Sequence, residues 1–239
     1  RHDAIGALAT LQETRRLAIL LGDTDREALC LALMARGEAK TKGIPAARLL
    51  QKEAEQKLGK DTPAALRGQV DYAFALVHWA FDETADALAH LNSAIDAAEE
   101  TGDKLLQARC QLLVIGVMGW PDEPLAAIDH IERLGKAIPD EGILLEAQLL
   151  RAHAGVWLGS ATDPIGDLRR VLHRANQLGV RVLEGYAAQV LGIMLAHDAP
   201  NEALVLAAQG VAIARQVGDR ELLGQGLQRQ AEVQMAQGN

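Results

Sequence analysis

The chain has 239 residues, enough to bury a large core, and its 49% hydrophobic content is globular rather than disordered. Only 3% is aromatic, so the core has to be built from alanine and leucine, which suit closely packed helices. The net charge of −8 argues against a general nucleic-acid binder, which needs clustered Lys and Arg, and it suits solubility.

Two cysteines, Cys30 and Cys110, are too few for a disulfide framework. Each stands eight residues after a glycine, Gly22 or Gly102, so they occupy equivalent places and read as small buried side chains. No apolar run reaches the roughly 18 residues needed to span a bilayer, and no signal peptide is evident. A cytoplasmic location and no membrane contact are the expectation. The chain opens at Arg1 without methionine and closes at Gly238-Asn239 where a helix would turn, which reads as a fragment of a larger protein.

In chain order, the first helix covers 3–21, where Ile5, Leu8, Leu11, Leu17 and Leu20-Leu21 repeat at near-helical spacing. Gly22-Asp23 stops it, and a second helix runs over 25–42. After Gly43-Ile44-Pro45 a third runs to Leu58. Thr62-Pro63 opens a fourth, to about Phe81. The fifth, 84–101, carries Ala87, Leu88, Leu91, Ala94, Ile95 and Ala98 on one stripe. Thr101-Gly102-Asp103 ends it and caps the sixth, 103–118, because glycine takes a positive φ freely and aspartate caps an N-terminus. The remaining helices are expected over 123–137, from Pro139-Asp140 to 158, 164–178, 180–197, 200–217 and 219–237. All seven prolines fall at breaks or in first turns, and no strand pattern or linker is visible.

The stop glycines Gly22, Gly59, Gly102, Gly135, Gly179 and Gly218 are spaced by 37, 43, 33, 44 and 39 residues. Two helices per period of about 40 predict stacked hairpins in one continuous domain over 1–239. Superposing Gly179 on Gly218 without a gap aligns Leu183 with Leu222, Gly192 with Ala231 and Met194 with Val233, with Leu191 on Gln230 the one mismatch of the four. Ala35 and the Ile115-Gly116 pair fall near the Gly192 position, where a small residue lets two helices cross closely.

A further pattern follows that small residue: Ala87-x3-Leu91-x2-Ala94, Ala127-x3-Ile131-x2-Leu134 and Ala203-x3-Ala207-x2-Gly210. The small residue followed by Ala-x3-large-x2-Ala resembles the tetratricopeptide repeat, over nearly the whole chain. The family's usual tryptophan, tyrosine and terminal proline are mostly missing, and the period exceeds the standard length of about 34. The variant it most resembles is the longer repeat of bacterial signal-transduction regulators, in which Gly-Asp junctions recur. Other helical-hairpin solenoids, HEAT-like arrays among them, share the plan. The resemblance implies an all-α, right-handed superhelical solenoid of about six hairpins and 12 helices. It implies a regulatory scaffold that binds a protein or peptide.

Carried over repeat by repeat, the resemblance places Arg36, Ala39, Tyr72, Leu76, Trp79, Val117, Trp120, Tyr186, Gln189, Ile193, Gln225, Gln228 and Glu232 in a concave groove, with Arg151 a weaker candidate. The mixture of aromatic, amide and charged side chains suits a peptide groove. Tyr72, Trp79 and Tyr186 can equally be inter-repeat core. Arg169, Arg170, His173, Arg174 and Arg181 form a second candidate, a basic patch for an acidic segment or phosphate, or else an ordinary solvated face.

No phosphate loop or His-Glu-x2-His motif is present, and the seven histidines are scattered. His78 and Asp82 have four-residue spacing but no third ligand in sequence, so no metal, cofactor or catalytic residue is expected. Glu99 and Glu100 diverge on a helix surface and make no acid/base pair. Binding scaffold is therefore the leading expectation. A self-association or spacer module and a small-ligand sensor stand beside it.

Overall fold

A computed structural model describes residues 4–41, 43–119, 121–138, 140–159 and 163–236, with twelve α-helices and no strand among them. They are α1 (Ala4–Leu21), α2 (Thr24–Thr41), α3 (Ile44–Lys57), α4 (Ala64–Trp79), α5 (Thr84–Thr101), α6 (Lys104–Met118), α7 (Pro124–Lys136), α8 (Glu141–Trp157), α9 (Pro164–Leu178), α10 (Arg181–Met194), α11 (Pro200–Val217) and α12 (Arg220–Ala236). Most boundaries match the sequence pattern within two residues. The largest difference is α10, which ends at Met194 while 195–198 continue as turns towards Pro200.

Four junctions are built alike. Gly22, Gly102, Gly179 and Gly218 take φ of 68, 69, 68 and 71°, the left-handed region that side chains disfavour. The amide after each glycine donates to the carbonyl of an alanine five residues back: Asp23 to Ala18, Asp103 to Ala98, Val180 to Ala175 and Asp219 to Ala214. This is the Schellman closure, which satisfies carbonyls the helix end leaves open. All four alanines are buried. At three junctions the aspartate also caps the next helix, accepting from Arg26, Leu106 and Leu222 amides at 2.9, 2.9 and 3.1 Å.

Two of the expected stop glycines behave differently. Gly135 lies inside α7 and is buried, so α7 continues through it. Gly59 is absent from the left-handed set; the break there is made by Thr62, whose hydroxyl accepts from the Gly59 amide at 3.0 Å.

Contacts divide the chain into two compact units, the division falling within α7. The first holds residues 4–123 with 133–139, the second 124–132 with the chain from 140 onward. In the first, α1 packs on α2, α2 on α3 and α4, α4 on α5 and α6, and α5 on α6. In the second, α8 packs on α9 and α10, α9 on α10, α10 on α11 and α12, and α11 on α12. Even-numbered helices thus lie side by side in each unit, and α5, α9 and α11 each bridge two successive members of that series. That contact order is consistent with a helical repeat.

Small residues permit the close crossings. A Cβ on Gly68 of α4 would stand 2.8 Å from the Ala97 Cβ of α5, and one on Gly192 of α10 would stand 3.1 Å from the Ala203 carbonyl oxygen of α11. The cores are mainly aliphatic, with Leu31 and Val70 beside one aromatic ring, Phe74, in one cluster of the first unit and Leu149, Leu168 and Leu191 in the second unit. Cys30 and Cys110 are free and buried, and burial pushes the Cys110 thiol up to about 12. No helix among the described residues is long and apolar enough to cross a membrane.

Candidate functional site

In the second unit the layer of α8, α10 and α12 holds three of the groove candidates from α10. Helical spacing puts Tyr186, Gln189 and Ile193 on neighbouring turns. Tyr186 and Ile193 are half-buried. Gln189 is fully buried, at 0% exposure, and belongs to the core rather than to an open groove. Its Nε2 donates to the Leu222 carbonyl at 3.1 Å and its Oε1 accepts from Arg229 Nη1 at 3.0 Å. Two glycines make room for it. A Cβ on Gly210 of α11 would stand 2.5 Å from its Cγ, and a Cβ on Gly226 of α12 would stand 2.5 Å from its Nε2.

Arg229 completes this cluster. Its guanidinium lies over the Tyr186 ring at 4.6 Å from the centroid and donates to the Tyr186 hydroxyl at 3.4 Å. Such stacking is favourable because the ring face is electron-rich. No carboxylate among the described residues is paired with Arg229; its partners are an amide and a phenol. Burial, and then the Arg229 charge, hold the His153 imidazole on α8 below its ordinary value. Arg229 is missing from the sequence-derived candidates. The available signal is its alignment with the buried Val190 when Gly179 is laid on Gly218, a charge in an apolar place. The other α12 candidates are half-buried Gln225, which donates to Glu221, and exposed Gln228 and Glu232, which bond each other at 3.0 Å.

In the first unit, Tyr72, Leu76 and Trp79 of α4 and Val117 of α6 pack together on the cluster of Ala75, Leu91 and Leu113. All four keep partial exposure. The Trp79 ring lies 3.3 Å from where a Gly116 Cβ would be, so that glycine seats the indole on α6. Arg36 and Ala39 of α2 are half-buried. Trp120 lies outside the described residues.

The arginines of the basic patch are all paired. Arg169 donates to both carboxylate oxygens of Glu202 at 2.8 Å, linking α9 to α11. Arg174 meets both oxygens of Glu141 at 2.6 and 2.9 Å, and its hydrogen bonds hold that carboxyl below the usual range. Arg170 pairs with Asp167 and Arg181 with Glu184. His173 bonds Gln177 at 2.8 Å. Arg151 is likewise taken, by Asp129 and Glu132 of α7. A cleft of about 300 Å³ lies between these helices, lined by Arg169, Leu172, Glu184, Leu191, Glu202 and Leu206 among others. Its buried carboxylate, Glu184, already accepts from Asn176 and Arg181.

His78 does not meet Asp82 as a ligand pair. Asp82 takes φ 58° at the turn after α4, and His78 Nδ1 faces Glu83 and Asp86 instead.

No protein-family model matches the chain, and no curated protein matches it either.

Proposed function

We infer that this chain is a helical-repeat scaffold whose even-numbered helices present a face to a protein or peptide. In this reading the repeats are tetratricopeptide-like, form a superhelical solenoid, and serve as the regulatory interaction module of a larger bacterial signalling protein. The observation that carries the binding role is the Tyr186–Arg229 pair. A half-buried guanidinium stacked on a half-buried tyrosine, with no carboxylate paired to it among the described residues, costs desolvation that a partner's acidic or carbonyl group would offset. Tyr72, Leu76 and Trp79 offer the corresponding aromatic and apolar surface on α4. Tyr and Trp are the side chains that most often dominate interface energy.

The test is capture of a peptide library or candidate partners by the immobilised chain. Tyr186→Ala and Trp79→Ala should each weaken a captured ligand by about 5- to 30-fold, in line with about 1–2 kcal/mol for an interface aromatic. Far-ultraviolet circular dichroism should stay unchanged. Capture that ignores both substitutions would place the binding surface elsewhere.

Self-association is the second reading. Leu17, Leu20 and Leu21 of α1 are exposed at 48, 68 and 77% and lie on one end of that helix. Contiguous exposed leucines mark contact surfaces. Light scattering over a concentration series decides it, a constant monomer mass counting against.

A further inference from the structure

We propose that His78, Glu83 and Asp86 form a binding site for a divalent first-row metal ion of the zinc class, with Arg48 as the side chain that shares and gates it. The site lies where α4 turns into α5 and arises from that turn. Asp82 occupies the left-handed position that glycine holds at the other junctions, and the Glu83 amide closes back on the His78 carbonyl at 3.0 Å. This closure brings the side chains on either side of the turn together, a contact that is usually apolar. Here it joins an imidazole to a carboxylate, His78 Nδ1 to Glu83 Oε2 at 2.7 Å. Asp86 stands in the first turn of α5, and its Oδ2 is 3.9 Å from the same nitrogen.

The ligand atoms of these three residues all lie within 4.8 Å of one another. Two of the pairs are separated by 2.7 and 3.9 Å, and these bracket the separation of about 3.3 Å expected for tetrahedral ligands with bonds near 2.0 Å. Glu83 and Asp86 side chains are 37 and 68% exposed, so small rotations suffice to equalise them. The imidazole is held in place from behind. Its Nε2 is 2.9 Å from buried Gln51 Nε2, and its ring stacks on His90 at 5.2 Å, with His90 in turn 2.8 Å from Asp71. A metal on Nδ1 moves the ring hydrogen to Nε2, so the Gln51 amide has to turn its oxygen, here bonded to Arg48, to accept it once the guanidinium leaves.

Charge favours a dication. Glu83 is paired with Arg48, which also lies over Phe81 and within 3.5 Å of the His78 ring. Among the described residues no lysine or arginine is paired with Asp86, and His78 Nδ1 lies 3.9 Å from it. Two carboxylates and one guanidinium leave a residual negative charge beside His78, whose Nδ1–H donates to Glu83 and gives up that hydrogen when a metal binds there. Zinc in place of the guanidinium removes that excess, with water as the fourth ligand. Imidazole with two carboxylates suits zinc better than calcium or magnesium, which prefer oxygen alone.

The experiment is zinc titration of the full chain by calorimetry, with cobalt as an absorption probe of coordination. One zinc per chain is expected, and Asp86→Ala, at an exposed position, should weaken it by at least about tenfold. His78→Gln should do the same, and Arg48→Gln should tighten binding by removing the competing cation. Two results would overturn the site: saturable binding that ignores both ligand substitutions, or no saturable binding by the unaltered chain. The second includes zinc taken up only by Arg48→Gln, since the arginine would then close the cluster permanently.

Discussion

At the scale of single residues, the informative side chains are polar ones in unexpected surroundings. Gln189 ties three helices together: it sits on α10, bonds the backbone of α12 and fits against a glycine of α11. Gln189→Ala would leave the Leu222 carbonyl and Arg229 each short of a partner. The expected loss is about 1–3 kcal/mol, measured as a lower urea midpoint. His153 makes a second case. Its folded-state value is lowered by burial, while the unfolded chain takes up a proton near the ordinary value of about 6.5. Below that pH the unfolded state therefore binds more protons, and stability falls. The contribution is complete above about pH 6.5 and is lost as pH drops through 6.5 towards the folded value. Comparing urea midpoints at pH 7.5 and 5.5 should show a smaller drop for His153→Gln than for the unaltered chain.

At the scale of elements, the junctions explain why the helix ends were readable. An Ala-x3-Gly turn specifies its own closure, because every hydrogen bond in it spans five residues or fewer. The sequence pattern found the glycine and the aspartate but overlooked the alanine that accepts the closing bond. Gly135 shows the limit of the same reasoning. It stands at about the right period, yet it is helical, because glycine permits a left-handed turn without requiring one. The distinction has a measurable consequence. Gly102→Ala forces a side chain into φ 69° and should cost about 1–2 kcal/mol. Gly59→Ala, with nothing closer than 3.9 Å to the added carbon, should change stability by less than about 0.5 kcal/mol. Urea denaturation of the two variants side by side separates them. Asp82 supplies the complementary lesson: a turn of the glycine type formed by aspartate, which no search for glycines would find.

At the scale of the molecule, charge and packing have to be read together. Five arginines singled out in sequence, Arg151, Arg169, Arg170, Arg174 and Arg181, are each matched by an acid, and some of those acids lie more than 30 residues away. A run of basic residues on one helix thus carries little net field once the next helix is beside it. Arg229 is the contrasting case, isolated in sequence and without a paired carboxylate among the described residues. The all-helical class, the number of helices and most of their limits were determined by sequence alone, since apolar spacing, prolines and caps act over a single turn or two. Tertiary structure decided which of those helices touch, that Gln189 is enclosed, and that His78 meets Glu83 and Asp86. Most of those outcomes depend on whether a neighbour tens of residues distant leaves room or brings an opposite charge. The His78 cluster depends instead on which way a short turn aims its side chains, and spacing along one strip of chain carries neither kind of information.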